Sequence, residues 1–145
     1  MNAQQVLQRY VELCARSLSQ NSRVRSMLKR AGLADSEILD RFLIGYADGH
    51  VSELVGNDDH LLGSFERTGI ISGGQEVLRR RVTIPVLDVD AGIVNIVGYS
   101  PWPNTEHRLA SLNAEGIFNA SHLKHAEKMI LVDDPIHALL LIRHG

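Results

Sequence analysis

The chain has 145 residues, of which 44% are hydrophobic and 22% charged, enough for one ordinary domain with its own core. Its net charge of −2 excludes a protein whose whole surface binds nucleic acid, and its single Cys14 excludes a disulfide framework or multi-cysteine zinc site within the chain. No apolar run approaches the ~20 residues that cross a bilayer, and the N-terminus lacks a signal-peptide core, so we expect a soluble, cytoplasmic protein with no membrane partner.

Short helices are predicted over residues 3–69, because apolar residues recur there at helical spacing between capping residues and glycines. The predicted helices are Ala3–Leu18, one from Ser22 to a stop at Gly32, one capped by Asp35 and Ser36, a brief one over Val51–Val55, and one between Asn57-Asp58-Asp59 and Gly69. Asp58 and Asp59 are interpreted as helix caps rather than metal ligands. The second helix has a basic outer face, typical of a solvated surface, formed by Arg23, Arg25, Lys29 and Arg30.

An arginine-rich hairpin is predicted over residues 77–99, where the apolar pattern changes to a period of two. Its first strand begins at Val77 and would place Arg79 and Arg81 on one face, about 7 Å apart. Their planar donor groups suit an array of phosphates. The alternative is an edge strand protected by charge, because Pro85 confines it to an edge or a bulge.

Residues 100–127 are predicted to form a long irregular loop. Tyr99 and Trp102, at its start, could stack on a nucleic-acid base or pack against the hairpin. Residues 128–132 then read as a buried strand, and Asp133-Asp134-Pro135 leads into an apolar helix ending at Arg143. We expect this βα unit to begin a second α/β domain whose remainder lies outside the chain.

Four stretches together resemble the catalytic core of bacterial DnaG-type DNA primases, in the family's order along the chain. They are 28–33 with 42–47, the arginine-to-proline segment 78–86, the hairpin and glycine at 90–98, and the strand and helix at 130–139, which resemble the start of a Toprim domain. The resemblance implies an α+β fold: several short helices, then a small antiparallel sheet, ending in a βα unit that begins a Toprim-like domain. It implies a primase-core-like subdomain over residues 1–127 and a truncated Toprim-like domain over residues 128–145.

The resemblance also implies a role in RNA primer synthesis during DNA replication. Arg79 and Arg81 match the family's paired arginines, which hold nucleotide or template, and Arg108 stands where the family has a lysine. Asp133 occupies the position of the Toprim catalytic glutamate. The implied partners are a single-stranded DNA template, nucleotides, and the rest of a primase or helicase polypeptide. No cofactor is predicted within the chain itself; Mg²⁺ or Mn²⁺ would be needed only with a complete Toprim domain.

Several residues depart from the family pattern. Ala31 replaces an arginine, Leu109 an aromatic residue and Ala120 a lysine, while His137 replaces the aspartate of the Toprim helix. Asp133 is one methylene shorter than the expected glutamate, and a helix N-terminus, with Asp134 as the cap, explains Asp133 and Asp134 better than a metal site does. The scattered His107, His122 and His125 offer no zinc-site spacing, so no metal site is predicted.

The sequence therefore leaves enzymatic activity open. The chain resembles a nucleotidyltransferase but lacks a complete acidic metal site, and one displaced carboxylate cannot hold the metal ions of that chemistry. One alternative is a degenerate, non-catalytic relative that binds nucleic acid or protein. Another is an interaction domain in which the arginines only protect a sheet edge.

Overall fold

The computed structural model describes residues 2–33, 36–103, 107–113, 118 and 135–143. Helices and short strands alternate through the first half, and the longer strands follow. In chain order the elements are α1 Ala3–Ser19, α2 Ser22–Arg30, α3 Ser36–Arg41, β1 Gly45–Tyr46, α4 Val51–Val55, α5 Asp59–Arg67, β2 Ile71–Ser72, β3 Gln75–Glu76, β4 Val82–Leu87, β5 Ile93–Tyr99, β6 Leu109–Ser111 and α6 Pro135–Arg143. None of the helices in these ranges is both long and apolar enough to span a membrane.

The predicted helices of the first half are confirmed, and side chains cap several of them. Asn2 and Gln5 form a reciprocal capping box at the start of α1. The cap of α2 is Asn21, one residue before the predicted Ser22, and its side chain accepts a hydrogen bond from the Val24 N–H. Asp58 caps α5 in the same way, which confirms its interpretation as a cap.

The main sheet is antiparallel and has the strand order β1-β4-β5-β6. Its centre is the predicted hairpin, with Val82 opposite Tyr99 and a register shift near the turn. Pro85 lies past the end of β1, which pairs only with Val82 and Thr83, so its missing N–H falls where β1 does not reach. The mixture of helices with an antiparallel sheet confirms the predicted α+β class.

The first strand of the hairpin starts at Val82 rather than at the predicted Val77. Residues 77–80 form a turn, and Arg80 has a positive φ of 63° that no strand can contain. The Arg80 N–H donates to the Ala47 carbonyl at 2.6 Å, which holds the turn against the segment after β1. The expectation that Arg79 and Arg81 share one face of a strand is therefore wrong.

Helix α1 lies in very close contact with the sheet edge at Gly45. A Cβ at this position would be 2.5 Å from the Cys14 carbonyl carbon and 2.6 Å from the Ala15 nitrogen. Only glycine permits this approach of strand to helix. The contact fixes β1, and through β1 the turn that carries the arginines.

Two clusters of buried side chains form the core. One joins α1 to α4, α5, β2 and β5, with Tyr10 and Phe65 among its largest members. The other joins α2 and α3 to β1, β4 and α6, where Ile136 and Leu139 are buried. The last helix thus packs into the same core as the first half. The predicted strand at residues 128–132 lies outside the described residues.

Candidate nucleic-acid interface

Arg81 and Arg108 are brought together although 27 residues separate them. The stem of Arg81 lies over Gly98 of β5, where a Cβ would stand 2.8 Å from the Arg81 Cδ. One Arg81 guanidinium nitrogen, Nη1, donates to the Arg108 carbonyl at 3.0 Å. Arg108 in turn donates from its Nη1 to the Ser100 carbonyl at 3.3 Å. Each bond uses only one of the five donors of its guanidinium, so both side chains keep donors for an anion.

The Arg79 side chain lies apart from the contact between Arg81 and Arg108, beside Gly49. Its Nε lies 3.1 Å from where a Cβ of Gly49 would be. Burial raises the pKa of the Glu76 carboxyl group, and the Arg79 charge is the smallest of the effects that oppose this rise. Of the three predicted binding residues, the structure therefore brings Arg81 and Arg108 together and places Arg79 beside Gly49.

The third arginine of the triplet, Arg80, meets Trp102. The indole Nε1–H donates to the Arg80 carbonyl at 2.9 Å. The guanidinium carbons of Arg80 and Arg23 lie 5.1 and 4.8 Å from the centroid of the Trp102 ring, within the range of cation–π attraction. The sequence predicts stacking or packing for Trp102 but not its two arginine neighbours, because nothing in local spacing joins α2 to this loop.

None of these arginines forms an ion pair with a carboxylate of the described residues. Among the described residues the one ion pair links His50 Nδ1 to Asp48 at 3.1 Å, so no described carboxylate pairs with Arg23, Arg80, Arg81 or Arg108. We call these four residues the arginine surface. On a chain with a net charge of −2, two of these guanidiniums lie against the Trp102 ring, while the Arg81 side chain contacts Arg108, whose own side chain reaches the Ser100 carbonyl.

A buried polar cluster lies beneath the turn. The Tyr10 hydroxyl donates to Oε1 of Glu76 at 2.6 Å, while Oε2 of Glu76 is buried with no hydrogen-bond partner among the described residues. Burial raises the pKa of Glu76 and the negative charge of Asp48 raises it further, whereas the Tyr10 hydrogen bond, the Val51 N–H and Arg79 lower it. Burial likewise raises the pKa of the nearby Cys14 thiol to about 12. A thiol in this environment is not a nucleophile.

The predicted catalytic Asp133 and its neighbour Asp134 lie outside the described residues, as do His122 and His125. His107 is exposed. Within the described ranges, no three His, Cys, Asp or Glu residues are grouped so that they could hold a metal ion. At this interface the described residues offer the four arginine side chains and the Trp102 ring.

No protein-family model matches the sequence, and no curated protein matches it. Solved structures do. A structure of the DnaG catalytic core matches with a TM-score of 0.82 and 20% identity, over 99% of this chain and 52% of the other. The fold is that of the DnaG primase core. This confirms the predicted resemblance.

Two further primase structures agree. The Escherichia coli primase catalytic core matches at a TM-score of 0.70 and 20% identity, over 86% of this chain and 45% of its own. A DnaG primase catalytic domain bound to single-stranded DNA matches at 0.72 and 21% identity, over 87% and 44%. The present chain thus spans about half the length of the primase chains that it matches.

Proposed function

We propose that this protein is a primase-like module that binds single-stranded nucleic acid through the arginine surface. The observation that carries the proposal is the convergence of Arg23, Arg80, Arg81 and Arg108 without a described carboxylate partner. Guanidinium groups bind phosphate oxygens through paired donors, and they stay charged at any physiological pH. The fold supports the proposal, since a structural neighbour is a primase domain bound to single-stranded DNA.

The ligand on this proposal is a single-stranded DNA template or the phosphates of a nucleotide, used in RNA primer synthesis for DNA replication in the cytoplasm. The module does not catalyse by itself. Nucleotidyl transfer needs Mg²⁺ or Mn²⁺ held by clustered carboxylates, which a complete Toprim domain would supply. Asp133 would contribute one carboxylate to a complete Toprim domain, and the rest of a primase or helicase polypeptide would be its partner.

A second candidate is a degenerate relative that keeps the binding surface without taking part in primer synthesis. Leu109 favours it, because this residue replaces a family aromatic and is 41% exposed on β6, where no ring is then available to a base. A primer-synthesis assay with template, ribonucleotides and Mg²⁺ distinguishes the two. Primers made by the protein in its natural polypeptide would exclude the degenerate relative.

The test of the proposal is equilibrium binding of a fluorescein-labelled single-stranded DNA, followed by anisotropy at low salt. Arg81→Ala/Arg108→Ala should weaken binding at least about tenfold, since each arginine supplies a charge-assisted bond. Arg79→Ala should have a smaller effect, because the Arg79 side chain lies beside Gly49 and not against Arg108.

The matched control is Arg9→Ala/Arg16→Ala, which removes the same charge from the exposed face of α1. It should bind within about twofold of wild type, as expected for a general charge effect. Equal losses in both double variants would contradict a defined site, and no binding by the wild type would remove the proposal.

A further inference from the structure

Trp102 is the chain's single tryptophan, and it gathers two guanidiniums from distant parts of the sequence. Arg23 comes from α2, and Arg80 from the turn before β4. Their Cζ atoms lie 4.8 and 5.1 Å from the centroid of the indole ring. The ring is itself held in place, since its N–H donates to the Arg80 carbonyl and its plane meets the Tyr46 ring edge-on at 6.4 Å.

Two like charges on one ring repel each other. The cation–π attraction offsets part of that repulsion, and a carboxylate between them would remove the rest. No described carboxylate lies within ion-pair distance of either arginine. Both side chains are exposed, so their donor groups remain available to solvent. An anion bound between them would therefore accept hydrogen bonds from two oriented guanidinium groups and relieve the repulsion between their charges.

A packing role alone does not explain why two arginines lie on the Trp102 ring. The contact between Trp102 and the buried Tyr46 accounts for the position of the indole ring. It does not require the charged ends of two arginines, because an aliphatic stem covers an aromatic face equally well. Arg80 also keeps a positive φ of 63°, a conformation that is costly for a residue with a side chain.

We propose that Arg23 and Arg80, held on the Trp102 ring, form a phosphate-binding site for single-stranded nucleic acid. This inference rests on the proposed function and extends it, because the site adds a contact on α2 next to the one made by Arg81 and Arg108. Trp102 positions the two arginines and is not itself the surface on which a base stacks. The bound nucleic-acid strand then runs from β6 across the turn at residues 77–80 to α2.

The single tryptophan makes the site observable without a label. Trp102 emission is titrated with a short oligothymidylate and with an abasic oligomer of the same length, which keeps the phosphates and lacks the bases. Both should change the emission with similar affinity, since the contact is to phosphate. A change with the oligothymidylate alone would show base stacking and overturn the inference.

Variants separate this site from its neighbour. Arg23→Ala should weaken single-stranded DNA binding about tenfold, the value of a lost charge-assisted bond, and Arg23→Lys should restore part of the affinity. The matched control is Arg25→Ala, two residues along the same helix and equally exposed, which should bind within about twofold of wild type. Circular dichroism melting of each variant confirms that the fold is kept.

The outcomes distinguish the inference from the function that it extends. If Arg23→Ala binds like wild type while Arg81→Ala/Arg108→Ala does not, the site on Trp102 is wrong and the arginine surface stands in reduced form. If the wild type shows no salt-sensitive binding, the proposed function fails and the phosphate site fails with it.

Discussion

Glu76 is a buried carboxyl group whose ionisation the fold opposes. Its side chain is 9% exposed, only one of its carboxylate oxygens has a hydrogen-bond partner among the described residues, and Asp48 adds negative charge nearby. Burial raises its pKa above the usual 4.5. The folded protein therefore holds this proton more tightly than the unfolded chain does. Its contribution to stability is fully present below pH 4.5 and is lost as pH rises through the raised value.

Replacing Glu76 by glutamine should remove this pH dependence. Glutamine keeps an oxygen for the Tyr10 hydroxyl and carries no charge at any pH. Relative to wild type, Glu76→Gln should gain stability as the pH is raised from about 4 to about 7. Urea unfolding at several pH values measures the difference in free energy of unfolding. The control is the exposed Glu66→Gln on α5, and parallel pH profiles for Glu76→Gln and wild type would refute the assignment.

Some arginines of the arginine surface are predictable from the sequence, and others are not. Arg81 was identified from its place in a basic, strand-like segment, and the structure sets it beside Arg108. The sequence does not predict a site at Arg23 or Arg80, since Arg23 reads as part of a solvated helix face and Arg80 as a strand residue on the face opposite Arg79 and Arg81. Their meeting on Trp102 depends on the packing of α2 beside the sheet, which residue type and local spacing do not encode.

At the scale of elements, the closest contact is that between α1 and β1 at Gly45. Alanine there would place its Cβ within 2.6 Å of backbone atoms of Cys14 and Ala15. The helix backbone cannot relieve this overlap by changing rotamer, as a flexible side chain could. We expect Gly45→Ala to destabilise the fold by about 2–3 kcal/mol, at the upper end of the cost of overpacking. Binding at the arginine surface should weaken too, because β1 supports the Arg80 turn.

A glycine within a helix provides the contrast. A Cβ at Gly63 of α5 would meet only the end of the flexible Arg67 side chain, at 3.3 Å. Gly63→Ala should stabilise the protein by about 0.5–1 kcal/mol through helix propensity. Thermal and urea unfolding of both variants provides the measurement. A Gly45→Ala protein as stable as wild type would show that α1 and β1 do not lie this close.

The elements that the sequence predicted well are those with a long apolar period. Helices α1, α2 and α5 and the hairpin of β4 and β5 extend over enough residues for the pattern to repeat. Strands β1, β2 and β3 have two residues each, and β6 has three, so no period can be read from them. The arginine turn was predicted as strand because its side chains alternate in type, whereas its backbone is set by a hydrogen bond to Ala47.

At the scale of the whole molecule, the fold was predictable because four stretches occur in the order of the DnaG core. The structural matches confirm that reading at 20–21% identity, where no family model matches the sequence. The roles of Arg79, Arg81, Arg108 and Asp133 stay predictions. The structure adds the contacts of the arginine surface, whose residues come from α2, the turn before β4 and the segment before β6, on a chain that is slightly acidic overall.

The central claim is that phosphates bind at the arginine surface, and the salt dependence of affinity tests it most directly. Bound phosphates release counterions, so the logarithm of the affinity for single strands falls with the logarithm of salt concentration by about 0.7 per phosphate contacted. The slope for Arg81→Ala/Arg108→Ala should be shallower than that of wild type by about 1.4, the share of two contacts. Arg9→Ala/Arg16→Ala should keep the wild-type slope. Identical slopes for all three proteins would contradict the account.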